Sequence, residues 1–436
     1  MRIVKPRKLS ILSRPFEYRR RMFLGVATLA FIPLDEPPQM LDEQALWIFL
    51  GENLPAGVVL DVGIPKRYGE FLVSGAAWPD AEGEQTSVRV GAVCGSVSRQ
   101  LNVFGDRFVT RDGIVIGPDP FTSLPLNSAH AYGGSSVAEN PVGKGAEAVT
   151  LKDGDKVTPL PNIVAAESGA DIRMPASFGP VEQDRPARAR LAGTYDRNWL
   201  ETDYPGLAKD IDWRFFNIAQ PEQQLDGIWK GDESWRLVGM HPTRRTIEGK
   251  LPGLAARCLV RRKGHDDLED HASQLTTVWF FPDQLHAVLI FHSSIELSDP
   301  DAEDLSELMV ATEWHDRQRP LDHYQDVFDR RVNSPNRMQE KLRDDDLLPE
   351  GLATGNLDSI GNASDPDFNI RYRNSRRKAR AVLSDAETKI ADGMRQLGAE
   401  VPERKMLDPV VDPDHLDSIS PAAVPEIVER LRKQAE

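Results

Sequence analysis

Two apolar runs separated by only three residues place the strongest constraint on the fold of this chain. Residues 275–281 (LTTVWFF) and 285–291 (LHAVLIF) flank the tripeptide Pro282-Asp283-Gln284. Apolar runs of this length, joined by a short turn that contains proline, predict a β-hairpin. We therefore expect both runs to be neighbouring strands.

Shorter runs of the same kind recur nearer the N-terminus, at residues 71–77, 87–91 and 101–109, and glycine or proline closes them. Within 101–109, Gly105-Asp106 is predicted to be the turn of a second hairpin. Long amphipathic helices do not alternate with these strands, which argues against a doubly wound α/β fold. The pattern favours a mainly β protein with sandwich-like antiparallel sheets, long ordered loops and a C-terminal helical segment.

The composition along the chain suggests five regions. We expect an N-terminal leader at 1–20, a β-rich domain at 21–300, a helical extension at 301–344, a flexible connector at 345–370 and C-terminal helices at 371–436. Within the β-rich domain, residues 118–186 are rich in glycine and proline and are expected to form ordered loops. The helical extension is predicted from Leu305, Leu308 and Met309, and 321–331 has the same rhythm. The C-terminal helix is predicted from an apolar stripe formed by Val382, Ala386, Ile390, Met394 and Leu397.

Charge and cysteine content narrow the class of protein. The chain has 436 residues and a net charge of −15, so a phosphate-binding surface for nucleic acid is not expected. Cys94 and Cys258 are too few for a disulfide framework and fit the reducing cytoplasm. The apolar run 23–34 follows three arginines, which leaves a signal peptide open as an alternative to a buried strand. It is too short to cross a membrane as a helix.

Motifs for catalysis or metal binding are weak. The sequence contains no G-x-S-x-G and no H-E-x-x-H, and HDDLEDH at 265–271 does not have the spacing of a zinc site. PVGKGAE at 141–147 lacks the P-loop spacing. We therefore expect no metal and no cofactor. Asp210 and Asp212, next to Trp213, leave a carbohydrate-binding or carbohydrate-active protein as the alternative function, since glycoside hydrolysis uses two carboxylates.

The stretch 192–220 has the densest aromatic content of the chain. Tyr195, Trp199, Trp213, Phe215 and Phe216 alternate there with acids and arginines. Large aromatic residues serve protein cores and protein interfaces equally well. The stretch alone leaves both interpretations open.

Eight phrases in order resemble one bacterial family, the domain of unknown function 2169. They are VFGDRFV (103–109), PDPFTSLPLNSAHAYGG (118–134), ENPVGKG (139–145), LPNI (160–163), SFGP (177–180), AGTYDRNWL (192–200), DWRFFNIA (212–219) and GDESWRLVGMHP (231–242). The resemblance covers roughly residues 20–255. The family usually has a tryptophan shortly after SFGP, whereas here EQDRPARAR (182–190) follows.

This resemblance implies a function outside catalysis. Relatives are encoded beside type VI secretion genes, so the chain is expected to be a cytoplasmic adaptor, or chaperone, that loads a toxin effector with a PAAR-type domain onto the secretion spike. The spike protein is the second candidate partner, and neither a nucleic acid nor a membrane is expected. For Arg107, Arg214 and Asp232 we favour anchoring of loops over contact with the cargo. The candidates for protein binding or loop anchoring are Arg107, Tyr132, Tyr195, Trp199, Trp213, Arg214, Phe215, Phe216 and Asp232, and those for loop shaping are Gly105, Gly133, Gly134, Gly143, Gly179 and Gly193.

Overall fold

The fold is taken from a computed structural model of the chain. It describes residues 1–34, 39–53, 64–79, 85–151, 155–167, 169, 171–298, 302–332 and 344–354. The expected C-terminal helices at 371–436, and the expected connector from residue 355 onward, lie outside the described residues. Among the described helices, none is long and apolar enough to cross a membrane.

Strands dominate the described chain. They are β1 (Arg2–Val4), β2 (Leu9–Tyr18), β3 (Arg21–Pro33), β4 (Gln39–Met40), β5 (Gly69–Val73), β6 (Ala76–Ala77), β7 (Ser87–Cys94), β8 (Val97–Phe104), β9 (Phe108–Thr110), β10 (Val115–Ile116), β11 (Leu124–Pro125), β12 (Tyr132–Gly133), β13 (Lys144–Gly145), β14 (Val149–Thr150), β15 (Lys156–Pro159), β16 (Ile163–Ala165), β17 (Gln224–Leu225), β18 (Ser234–Val238), β19 (Thr246–Lys250), β20 (Leu254–Arg262), β21 (Leu268–Ala272), β22 (Gln274–Phe281), β23 (His286–Leu297), β24 (Leu305–Trp314) and β25 (Ala353–Thr354).

Helices are few and mostly short. The α-helices are α1 (Glu43–Asn53), α2 (Pro186–Ala189), α3 (Arg197–Thr202) and α4 (Leu321–Val332). Single 3₁₀ turns span Ser128–His130, Trp213–Phe216, Pro221–Gln223, Pro282–Gln284 and Asp344–Leu347. The prediction of a mainly β protein is confirmed.

The predicted hairpin is the centre of a six-stranded sheet. β22 and β23 pair antiparallel around the 3₁₀ turn Pro282–Gln284, and the strand order of the sheet is β17-β5-β22-β23-β3-β2. β3 contains most of the apolar run 23–34 and is almost wholly buried, which confirms the interpretation as a buried strand. Residues expected as a leader form β2, which pairs with β3 along its whole length.

A five-stranded sheet shares the main core with this six-stranded sheet. Its order is β16-β8-β7-β18-β19, and β7 alternates exposed and buried residues, as expected for a strand with one face on a core. Apolar side chains from both sheets form one buried cluster that includes Val90, Leu101, Trp235 and Phe280. The two layers explain the sandwich-like pattern of the sequence.

Gly105-Asp106 is not a hairpin turn, and this prediction was wrong. β8, before it, pairs with β7 and β16, whereas β9, after it, pairs with β10 and β15 in a different sheet. The chain therefore leaves one sheet and enters another at this point. Local sequence does not separate a hairpin turn from such a crossing, because both need a glycine between two apolar runs.

Residues 305–314 are a strand, not the expected helix. β24 lies between β1 and β20 in a four-stranded sheet of order β1-β24-β20-β21. It is buried almost continuously from Leu308 to Glu313. An interior strand covered on both faces gives an apolar run that spacing alone does not distinguish from a helix. The helix predicted at 321–331 is confirmed as α4, which packs Tyr324 and Phe328 against this sheet.

A buried polar network attaches α4 to the sheet. The Glu313 carboxylate, which is buried, accepts hydrogen bonds from the Tyr324 hydroxyl (2.9 Å) and the Arg319 backbone N–H (3.0 Å), and it pairs with Arg257 (3.1 Å). Burial and the Glu313 charge raise the pKa of Tyr324. The network therefore links the segment at the start of α4 to β20 and β24 through buried polar contacts.

Candidate functional site

Three of the six aromatic side chains in the stretch 192–220 are buried. Trp199 of α3 is buried, and its indole Nε1 donates to the Gly206 carbonyl at 2.9 Å. Phe215 and Phe216, in the 3₁₀ turn after Asp212, are buried in a small cluster with Ala192 and Ile211. These three aromatics therefore act as scaffold, because no partner can reach a ring that the fold already covers.

The acids of the stretch cap its turns. The Asp196 carboxylate accepts from the Trp199 backbone N–H at 2.8 Å and begins α3. Asp210 accepts from the backbone and hydroxyl of Thr194, and these hydrogen bonds hold the pKa of Asp210 below its usual value. Asp212 caps the 3₁₀ turn through the Arg214 N–H at 2.9 Å. A general acid needs a raised pKa, so Asp210 is poorly suited to the acid role that the carbohydrate alternative requires.

Tyr204 of the stretch is 55% exposed, and Tyr195, Trp213 and Arg214 stay partly exposed. The Tyr195 ring meets Trp199 edge-on at 4.8 Å, and burial raises the pKa of Tyr195. Trp213 lies under the guanidinium of Arg67 at 4.1 Å. Arg214 stacks over Tyr68 at 4.0 Å and also pairs with Asp226 at 3.3 Å. The stretch thus presents arginine–aromatic stacks at its surface.

A buried ion pair fixes the end of the stretch to the six-stranded sheet. Lys66 and Glu70, the second of which lies on β5, form a salt bridge in which neither side chain is exposed. The Glu70 carboxylate also accepts from the Thr277 hydroxyl (3.0 Å) and from the Ala219 backbone N–H (2.8 Å). Buried charges are tolerated when they are paired and hydrogen-bonded in this way.

Neighbouring amides and an indole extend this anchor along β5. Asn217 Nδ2 donates to the Tyr68 carbonyl at 3.0 Å, and Gln223 Nε2 donates to the carbonyls of Phe71 and Phe178 at 2.9 and 3.1 Å. Trp229 Nε1 donates to the Glu70 carbonyl at 2.9 Å. None of these three residues was among the sequence candidates, since only their position in the fold makes them anchors.

Arg188 connects α2 to the aromatic stretch. Its guanidinium is buried and donates to the Phe215 carbonyl, at 2.6 Å from Nη2, and to the Val181 carbonyl at 2.5 Å. This contact holds the segment after SFGP (177–180) against the aromatic stretch.

Arg107 and two asparagines order the glycine-rich loops. Arg107 donates to the Pro161 carbonyl at 3.0 Å and stacks over Phe104 at 3.9 Å. Asn162, fully buried, donates to the Phe104 carbonyl and to the Asp106 carboxylate, both at 3.0 Å. The hydrogen bond from Asn162 and the ion pair with Lys144, at 3.1 Å, lower the pKa of Asp106. Three of the family phrases therefore meet at Asp106.

Asn140 has the same role one loop further on. Its Nδ2 donates to the carbonyls of Ser128 (2.7 Å) and Tyr132 (2.9 Å). Tyr132 lies in β12 and pairs with Lys144 of β13. Neither asparagine was among the sequence candidates.

The loop glycines differ in how strictly they are required. A Cβ on Gly105 would lie 1.7 Å from the Asp119 carbonyl oxygen, and one on Gly133 would lie 2.0 Å from the Asn140 carbonyl oxygen. No larger residue fits these close backbone approaches. Gly143 is similarly enclosed, whereas a Cβ on Gly179 would find its nearest neighbour at 4.0 Å. The remaining two, Gly134 and Gly193, have positive φ.

Asp232 is exposed in the turn before β18. Its neighbour Glu233 organises that turn, since its carboxylate accepts from the backbone N–H groups of Lys230 (2.6 Å) and Gly231 (2.9 Å). Sequence alone did not indicate which of the two adjacent acids would be the cap.

An open cleft lies where several family phrases converge. Its lining includes Ser128, Asn140, Ser177, Arg185 and Gln220. Arg185 pairs with Glu182, and burial lowers the pKa of Arg185. The Ser177 hydroxyl is buried without a hydrogen-bond partner in the described structure. The space that the cleft encloses is only about 20 Å³, far below the range for small-molecule ligand sites.

The two cysteines are buried, and burial raises both thiol pKa values, that of Cys258 to about 12. A thiol of this kind is not a ready nucleophile. In the part of the chain that the structure describes, no group of three His, Cys, Asp or Glu side chains is arranged to hold a metal ion.

The phrases that meet in these loops are matched by a family model. The model described as "Uncharacterized protein conserved in bacteria (DUF2169)" matches residues 19–292, well over half of the chain. The chain belongs to this family. No curated protein and no solved structure matches it significantly. The DUF2169 region starts at the β2–β3 turn and ends within β23, so it contains the aromatic stretch, the cleft and the anchoring network on β5.

Proposed function

We propose that this member of the DUF2169 family is a cytoplasmic adaptor that binds a protein cargo and promotes its loading onto a type VI secretion spike. The observation that carries the protein-binding part is an exposed apolar edge, which we define by the consecutive residues Ile114, Val115 and Ile116. Exposed apolar residues that cluster in this way mark protein-interaction sites.

The exposed apolar edge has the geometry of a docking surface. Ile114, Val115 and Ile116 are consecutive and are 62%, 56% and 52% exposed. Val115 and Ile116 form β10, one end strand of the four-stranded sheet β10-β9-β15-β14. Val149 and Leu151 are also exposed, but they lie at the opposite end of this sheet, on or next to β14. An end strand offers backbone N–H and C=O groups to an added strand, and apolar side chains beside it add affinity.

Anchored loops support the same proposal. Arg107 and Asn162 fix the chain next to β9, the strand that pairs with β10, through hydrogen bonds to the carbonyls of Pro161 and Phe104. A surface that is already ordered loses less conformational entropy when it binds. The family resemblance supplies the cargo, a toxin effector with a PAAR-type domain, and the net charge of −15 would speed its encounter with a basic cargo.

Co-expression with the neighbouring genes, followed by affinity purification and mass spectrometry, tests the proposal. We expect the wild-type chain to retain a PAAR-containing effector and Ile114→Asp to lose most of it, because a carboxylate would have to be buried at the interface. Met174→Asp is the matched control, since Met174 is 63% exposed outside the edge. Failure of folded wild-type protein to retain any expressed neighbour would refute the adaptor role. Equal retention by Ile114→Asp and wild type would refute the assigned surface.

A further inference from the structure

The turn between β2 and β3 has an unfavourable backbone conformation for its residues. Arg19 and Arg20 close this two-residue hairpin with φ of 52° and 60°. Turns of this kind favour asparagine, aspartate or glycine, because a side chain with a Cβ is strained in the left-handed region. Strain that a fold retains in a turn points to a use for the side chains that cause it.

Arg19 lies at one end of an aromatic stack. The Arg19 guanidinium lies 5.1 Å from the centre of the Tyr18 ring, and Tyr18 meets Trp213 edge-on at 5.2 Å. Arg67 covers Trp213 at 4.1 Å. Tyr18, Arg19, Arg67 and Trp213 therefore form one continuous arginine–aromatic surface, with an exposed cation at each end.

Some of the cations around this surface have a carboxylate partner and others do not. Lys209 pairs with Asp203 at 2.8 Å, and Arg214 pairs with Asp226. Arg20 donates to the Thr202 carbonyl at 3.2 Å. By contrast, Arg19 and Arg67 have no carboxylate within ion-pair distance among the residues that the structure describes. The guanidinium groups at the two ends of the stack therefore remain available to pair with carboxylates of another molecule.

We propose that the arginine–aromatic surface binds an acidic, extended segment of a partner protein. Carboxylates of the segment bind the planar guanidinium groups of Arg19 and Arg67 through charge-assisted hydrogen bonds, and Trp213 packs against the apolar part of the segment. Arginine, tryptophan and tyrosine are the residue types that dominate binding energy at interfaces. The inference rests on the proposed function only in taking the partner to be the cargo.

Fluorescence anisotropy of the full chain with a short, labelled polyglutamate peptide is the test. We expect wild type to bind, and Arg19→Gln with Arg67→Gln to weaken binding by at least about tenfold, the effect of losing roughly one charge-assisted hydrogen bond. Lys250→Gln is the control, because Lys250 is an exposed cation on β19. Arg19→Asn with Arg20→Gly gives a second readout: weaker peptide binding with an unchanged or higher Tm, since the strain is removed.

Three results would overturn the inference. The first is that wild type fails to bind polyglutamate. The second is that Lys250→Gln weakens binding as much as the arginine variants do. The third is that inorganic polyphosphate binds and polyglutamate does not compete with it. Loss of effector capture by Ile114→Asp together with intact polyglutamate binding separates the two proposals. If no neighbouring effector is retained but the peptide still binds in an Arg19-dependent way, the surface stands and the adaptor role fails.

Discussion

The Lys66–Glu70 pair provides the sharpest stability test of this fold. Both side chains are fully buried, so removal of one charge leaves the other uncompensated in the interior. Losing one member of a buried pair typically costs about 3–5 kcal/mol. Lys66→Met leaves Glu70 with the Thr277 hydroxyl and the Ala219 N–H. Glu70→Gln leaves Lys66 with the Thr277 hydroxyl, at 3.2 Å. We expect Glu70→Gln to be at least as destabilising as Lys66→Met.

Thermal melting and hydrogen exchange measure this effect. A loss of this size should lower the Tm by on the order of 10 °C, and Glu70→Gln should speed exchange of the Ala219 amide. Lys5→Met is the matched control, because the Lys5–Glu43 pair is partly exposed and should contribute less than about 1 kcal/mol. The double variant Lys66→Met with Glu70→Gln should cost clearly less than the two single costs combined. A Lys66→Met cost no larger than that of Lys5→Met would refute the reasoning.

Three further predictions follow from contacts described above. Gly105→Ala should destabilise the protein by several kcal/mol or prevent folding, because its Cβ would overlap the Asp119 carbonyl. Gly179→Ala, the control, should change the Tm little, and equal effects of the two variants in thermal melts would contradict this. Tyr324→Phe should cost about 1–3 kcal/mol in chemical denaturation, since it removes a buried hydrogen bond to Glu313; a neutral result would contradict this. The lowered pKa of Asp210 means that its hydrogen bonds stabilise the fold above its usual pKa of 3.8 and are lost as pH falls through the folded value. Asp210→Asn should therefore flatten the fall in stability below about pH 4, and an unchanged pH profile would contradict the assignment.

Local patterns predicted local structure well. The β22–β23 hairpin was predictable because its two apolar runs and the turn at Pro282 lie within one short stretch. β24 was not, because an interior strand and a buried helix share the same run of apolar residues. The sequence placed Phe23 in a strand but could not show that the preceding residues form the adjacent β2.

Long-range contacts explain what the sequence could not reveal about the site. Glu70 meets Thr277 across 207 positions, and Arg67 meets Trp213 only after both segments fold onto β5. Lys66 and Glu70 four residues apart would ordinarily suggest a surface helix pair. The composition of the aromatic stretch did not indicate which of its rings the fold covers. Caps such as Asp196 and Asp210 use the same residue types as catalytic carboxylates, so only the geometry separates them.

The anchoring network and the outward surfaces have separable roles, and this separation makes the adaptor proposal testable by mutation. Trp199, Phe216 and Glu70 are buried, so changes there would reduce binding by disturbing the fold. Arg19 and Ile114 are exposed and belong to turns or strand ends, so changes there leave the buried contacts intact. A rigid interior beneath exposed arginine–aromatic and apolar surfaces reduces the entropy lost on binding. Variants of exposed residues such as Arg19 and Ile114 that fold like wild type but lose a partner therefore report on binding and not on folding.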